Sequence, residues 1–146
     1  FSNSINARKE IKRLFGRSLK LRSVSAGGCN ACEMELNACG NVNFDMGRYG
    51  IEVTASPRHA DGIVITGPVS RNMNYALEET LSAVPEPKII IAMGTCAVSG
   101  GLFAESPDID RSFFQKYKVD LYIPGCPPHP LTFINALIRF MGKKYE

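Results

Sequence analysis

Two unbroken apolar runs rich in β-branched residues, Ile63-Val64-Ile65 and Ile89-Ile90-Ile91, constrain the fold of this chain more than any other feature. β-branched side chains suit pleated backbone, and a strand without polar alternation must be covered on both faces. Such strands belong to parallel sheets, whose crossover connections lay helices on the faces. The segment between the runs supplies one crossover. From Asn72 to Ala83, Met73, Leu77 and Leu81 recur every four residues, and Pro85 and Pro87 close the stretch. Strand, helix and strand make a βαβ unit, which sets the class as α/β.

Five segments in all read as strands: Leu21 to Ser25, Ile51 to Ala55, Gly62 to Thr66, Lys88 to Ala92 and Asp120 to Ile123. A last helix is expected from Leu131 to Met141, with Leu131, Ile134, Leu137 and Ile138 on one stripe and Pro130 at its start. Near the N-terminus, Ile11, Leu14, Phe15 and Leu19 fall at near-helical spacing among basic residues. This predicts a short basic amphipathic segment, 1–20, ahead of a single domain, 21–146. Its basic face reads as solvated charge or as a dock for an acidic partner or membrane surface. At 146 residues the chain fits one domain, and a chain of that size buries about 68–70% of its unfolded surface, so the core needs no staples.

Charge excludes one class of partner. The net charge is +3, and the basic residues Arg8, Lys9, Lys12, Arg13, Arg17, Lys20 and Arg22 are not followed by a basic stripe interleaved with aromatics. No nucleic-acid partner is expected. No apolar run approaches the ~20 residues that span a bilayer, and no signal peptide opens the chain, so by itself it is expected to be soluble and cytoplasmic.

The five cysteines carry the chemistry. Gly27-Gly28-Cys29-Asn30-Ala31-Cys32 follows the first strand, and its CxxC turn lets two thiolates converge on one centre. Alone this turn suits a thioredoxin-like redox pair, half of a zinc site or half of an iron-sulfur site. Cys96 comes just after Ile89-Ile90-Ile91-Ala92-Met93-Gly94, and Cys126 just after Tyr122-Ile123-Pro124-Gly125. Each therefore follows a strand, and open parallel sheets bind ligands in the crevice outside their carboxyl ends. Four thiols would meet there although nearly a hundred residues separate the first from the last. A cubane cluster with four thiolates is net negative, and backbone N–H groups of glycine-rich loops stabilise it. Read blandly, Cys96 and Cys126 are small buried hydrophobes. Cys39 has no partner spacing and reads as a structural thiol. No Ser-His-Asp order, GxGxxG or Walker loop is present, so independent catalysis is not expected.

Five ordered motifs extend this reading: Gly27-Gly28-Cys29-Asn30-Ala31-Cys32-Glu33, Ser56-Pro57-Arg58-His59-Ala60-Asp61, Thr66-Gly67-Pro68-Val69, Gly94-Thr95-Cys96 and Pro124-Gly125-Cys126-Pro127-Pro128. With them the chain, from about Leu21 to Leu137, resembles the small cluster-bearing subunit of membrane-bound, energy-converting nickel-iron hydrogenases of the formate hydrogenlyase type, related to the 20 kDa subunit of respiratory NADH:quinone oxidoreductase. The resemblance implies a flavodoxin-like parallel sheet with helices on both faces. It also implies one 4Fe-4S cluster, with Cys29, Cys32, Cys96 and Cys126 at the ligand positions. The implied partners are a nickel-iron hydrogenase-type large subunit, a ferredoxin-like iron-sulfur subunit and membrane subunits, with the chain peripheral on the cytoplasmic side of the membrane.

The respiratory relatives carry two adjacent cysteines in the first motif, whereas Cys-Asn-Ala-Cys looks like the hydrogenase branch. The alternatives are the equivalent subunit of a quinone- or sulfur-reducing complex without nickel, a zinc-stabilised binding module, and a thiol-disulfide oxidoreductase using Cys29 and Cys32. Two residues depart from the pattern: Thr95, where many relatives are acidic, and His129, where Arg or Thr is common. Glu33 is expected either to tune the cluster or simply to complement a helix N-terminus. Arg58 and His59 are expected at the large-subunit interface or as solvated loop charges, and His129 as a surface histidine or a proton-coupled one.

Overall fold

The computed structural model describes residues 19–85 and 88–140. Five strands, β1 (Leu19–Ser25), β2 (Ile51–Val53), β3 (Gly62–Thr66), β4 (Ile89–Met93) and β5 (Leu121–Ile123), pair in parallel in the order β2-β1-β3-β4-β5. This is the flavodoxin-like order, which reverses direction between β1 and β3. The helices are α1 (Ala31–Ala38), α2 (Arg71–Ala83), α3 (Thr95–Ser99), α4 (Ser112–Lys116) and α5 (Pro130–Phe140).

Strand alternation divides the side chains between two cores. On one face Leu19, Leu21, Ile51, Val64, Ile89, Ile91, Met93 and Ile123 meet Leu36 of α1 and Phe133, Ile134 and Leu137 of α5. On the other, Val24, Ile63, Ile65, Ile90 and Ala92 meet Leu77 and Leu81 of α2, Ala97 of α3 and Phe113 of α4. Every residue of β3 and β4 is buried, as their unbroken apolar runs require. Phe113 and Phe133 are fully enclosed, and each contributes about 1.5–3 kcal/mol relative to an exposed side chain.

Three expectations need adjustment. Leu19 and Lys20 belong to β1, paired with Ile51 and Glu52, rather than to the N-terminal segment. The rest of the expected N-terminal helix lies outside the described residues. β2 ends at Val53 because it is an edge strand with one neighbour. In α5 the stripe is Pro130, Phe133, Ile134, Leu137 and Ile138, while Leu131 is 49% exposed. The spacing i, i+3, i+4, i+7, i+8 runs from Pro130, and Leu131 sits one helical step off that face.

Two aspartates fix strand register. The backbone N–H of Lys20 donates to Asp61 Oδ2 and Asp61 N–H returns a bond to the Lys20 carbonyl, at 2.9 and 2.6 Å. Asp120 brackets Ile90 in the same way, its Oδ2 accepting at 2.9 Å and its N–H donating at 2.8 Å. Burial pushes the Asp120 carboxyl above its ordinary pKa, against the Ile90 N–H and Lys118. A raised folded-state pKa means stability is fullest below the ordinary carboxylate pKa and falls as pH rises through the folded value. Asp120→Ala is expected to cost about 1 kcal/mol through the orphaned Ile90 N–H. Asp120→Asn keeps the acceptor without the charge, so urea denaturation near neutral pH should find it at least as stable as wild type and less dependent on pH.

Candidate functional site

The carboxyl ends of β1, β3, β4 and β5 open onto one cleft, and four of the loops that follow them line it. Cys29, Cys32, Cys96 and Cys126 all border this cleft of about 320 Å³, together with Gly28, Gly67, Thr95 and Gly125. Cys29 and Cys126 are exposed, and Cys32 and Cys96 are half-buried. Cys39 lies elsewhere, with no exposed surface in the core between α1 and α5. Its thiol donates to the carbonyls of Glu35 and Pro130 at 3.3 and 3.7 Å.

Local backbone explains how each thiol is presented. Asn30, between the two cysteines of the CxxC turn, adopts the left-handed conformation at φ 73°, which asparagine tolerates better than most residues. That residue reverses the chain into α1, so Cys32 rides in the first turn of the helix. Gly67 passes so close to this turn that a Cβ there would stand 2.6 Å from the Gly28 nitrogen. Behind it, Ala26 donates to the Thr66 carbonyl and accepts from Val69 N–H, at 2.8 and 2.9 Å. The loops of Cys96 and Cys126 are joined by Thr95, whose N–H and hydroxyl both reach the Gly125 carbonyl at 2.8 and 3.1 Å. This gives the departure at position 95 a structural role. The Cys126–Pro127 peptide bond is cis.

The thiols feel one another. Cys32 is pushed up to about 11 by burial first, then by Glu33, Cys96, Cys29 and Cys126. Cys96 is raised by burial, then by Cys126 and Cys29, with Arg111 opposing. Metal binding to Cys32 and Cys96 must therefore release protons. The donor set fits an iron-sulfur cluster: four soft thiols from three loops, glycines where other residues would intrude. At Gly94, φ +93°, a Cβ would lie 2.6 Å from Cys32 Sγ, and at Gly101 3.2 Å from Cys96 Sγ. Among the described residues no His, Cys, Asp or Glu groups of three are arranged to hold a single metal ion. A cluster does not ask for such closeness, because its thiolates bind different irons.

Glu33 turns inward to accept a hydrogen bond from the hydroxyl of Thr66, the one fully buried polar residue among those described. Burial raises its carboxyl, but the Thr66 and Ser25 hydrogen bonds outweigh that and hold it below its usual value. His129 is exposed, and its Nδ1 accepts from Leu131 N–H at 3.1 Å, which caps the start of α5. Arg58 and His59 form a short 3-10 turn, Pro57–His59, just before β3.

Arg111 is the site residue that sequence reasoning missed. It donates through Nη1 to the carbonyls of Cys96 and Pro68, at 2.9 and 3.3 Å, and through Nη2 to that of Ala97 at 2.7 Å. Its guanidinium carbon also lies 4.5 Å from the Phe114 ring centroid. No motif spacing marks it, because the contact exists only once the fold brings the residue before α4 beside the α3 carbonyls.

Comparison with known proteins agrees with this architecture. The chain is 34% identical over 134 residues to a probable membrane-bound hydrogenase subunit of Pyrococcus furiosus, covering 92% of this chain and 80% of that one. It is 40% identical over 134 residues to formate hydrogenlyase subunit 7 of Escherichia coli, covering 92% of this chain but spanning about half, 51%, of that protein. A solved structure of the membrane-bound sulfane sulfur reductase, an archaeal respiratory membrane complex, contains a similar chain: TM-score 0.75 at 26% identity, covering 93% of this chain and 73% of that one. Residues 29–140, which run from the first cleft cysteine to the end of α5, match the NADH ubiquinone oxidoreductase 20 Kd subunit. The chain belongs to this family of oxidoreductase subunits, whose members include hydrogenase and formate hydrogenlyase components.

Proposed function

We propose that this chain is an electron-relay subunit that holds one 4Fe-4S cluster through Cys29, Cys32, Cys96 and Cys126 and serves a membrane-bound nickel-iron hydrogenase complex. The observation that carries the reading is the convergence of four cysteines from three separate loops on one open cleft. When bound, the cluster supplies one-electron storage at the cleft mouth. The chain's own residues do the rest: the four thiols anchor, Thr95 and Arg111 hold two loops together, and the glycines keep the walls close. The exposure of Cys29 and Cys126 suits a relay, since tunnelling falls steeply with distance and a partner must approach that mouth.

The partners in this reading are a nickel-iron hydrogenase-type large subunit, a ferredoxin-like iron-sulfur subunit and membrane subunits, on the cytoplasmic face. The basic segment that precedes β1 would help to dock the chain beside them. No helix among the described residues is long and apolar enough to cross a membrane. Hydrogenase-named relatives and the Cys-Asn-Ala-Cys spacing favour hydrogen as the exchange partner. A second reading, reduction of a sulfur compound or quinone without nickel, is favoured by the likeness to the sulfane sulfur reductase chain. Hydrogen evolution and nickel analysis on the complex copurified with this chain decide between them. The hydrogenase reading predicts stoichiometric nickel and hydrogen release with a strong one-electron reductant. A complex that reduces sulfur or quinone and has neither nickel nor hydrogen turnover would sink it and leave the relay role standing.

A further inference from the structure

Helix α3 carries Cys96 but is only five residues long, so most of its carbonyls lack an intrahelical partner. The Cys96 carbonyl accepts from Gly100 N–H at 2.8 Å and from Arg111, and the Ala97 carbonyl accepts from Arg111. The same guanidinium reaches Pro68 in the loop beyond β3, which lies against the CxxC turn through the Gly67–Gly28 approach. One side chain thus ties the Cys96 helix to the wall that backs Cys29 and Cys32. All its hydrogen bonds run to carbonyl oxygens, and among the described residues no carboxylate forms an ion pair with it. Its positive charge is therefore left uncancelled beside a thiolate ligand. A planar fork with several fixed donors suits this geometry, and lysine cannot reproduce it.

We propose that Arg111 is a positioning residue with an electrostatic role: its fork holds Cys96 in the cleft, and its unpaired charge raises the reduction potential of the cluster. The inference rests on the four-cysteine cluster reading. Reduction adds one electron, and so one negative charge, to an already anionic centre. A nearby fixed cation stabilises the reduced form more than the oxidised one, and net charge around a cluster is among the levers that set its potential.

The test uses the full chain, reconstituted anaerobically with iron and sulfide, as wild type, Arg111→Met and Arg111→Lys. Iron content, melting temperature and a dithionite potentiometric titration followed by electron paramagnetic resonance are read for each. Arg111→Met is expected to shift the reduction equilibrium against the reduced cluster by about tenfold, a fall of about 59 mV for a one-electron couple. Arg111→Lys keeps the charge and loses the fork, so it should melt lower and load less iron yet return the potential to near the wild-type value. A role confined to capping α3 would lower melting in both variants and leave the potential unmoved, which overturns the proposal. If Arg111→Met loads no cluster, Arg111→Lys decides: a potential well below wild type overturns the electrostatic role, and an unchanged one supports it. Wild type that binds no iron overturns the cluster reading itself, an outcome distinct from loaded proteins of equal potential.

Discussion

Replacing Cys29, Cys32, Cys96 or Cys126 singly by alanine is expected to strip most of the iron from anaerobically prepared protein, whereas Cys39→Ala retains it. Wild type should hold about four irons and four sulfides, the composition of a cubane with four protein thiolates. The sheet brings these four thiols to one cleft, and removal of any one would leave a bound cluster short of a protein ligand. Cys39 is different in kind. Its thiol is fully buried in the core between α1 and α5, bonded to two carbonyls, and away from the cleft where the other four converge. Its loss should cost only about 1 kcal/mol as a small cavity. Iron and acid-labile sulfide assays with the brown charge-transfer absorption check all five variants. Full loading of Cys96→Ala, or zinc in place of iron, would refute the ligand assignment.

Gly94→Ala should be nearly as damaging to the centre without touching a thiol. Gly94 links β4 to α3 at φ +93°, and a Cβ there would meet Cys32 Sγ at 2.6 Å. Strained backbone of this kind costs roughly 1–3 kcal/mol. The cysteine side chain must also swing away from the cleft, and Gly94 N–H, which donates to the Ile123 carbonyl at 2.8 Å, would drag on the edge strand beside Cys126. The expected result is a lowered melting temperature with far lower iron content than that loss of stability explains. Gly40→Ala is the control, because the nearest atom to its Cβ would be the Asn37 carbonyl at 3.5 Å. If Gly94→Ala takes up iron as readily as Gly40→Ala, the close packing at Cys32 does not shape the site.

The sequence by itself determined the class of fold and the identity of the four cleft cysteines. Ile63-Val64-Ile65 and Ile89-Ile90-Ile91 could be satisfied only between two helical layers, and the structure buries both runs completely. Once the strands run parallel, their carboxyl ends share an edge, so cysteines placed just after strands must gather there. That argument needs only periodicity and order along the chain. On α5 the expected Ile134, Leu137 and Ile138 are buried, while Leu131 lies off that face and Pro130 and Phe133 take its place.

Tertiary structure alone decided which polar groups meet at the site. Thr66 lies 33 residues from Glu33, Thr95 30 from Gly125, and Arg111 14 and 15 from the carbonyls that it bridges. A hydrogen bond across such separations leaves no periodic trace, since it depends on how loops cross above the sheet. Burial patterns repeat along a chain and can be read from it. Single polar contacts between loops do not repeat, and only the folded backbone fixes them.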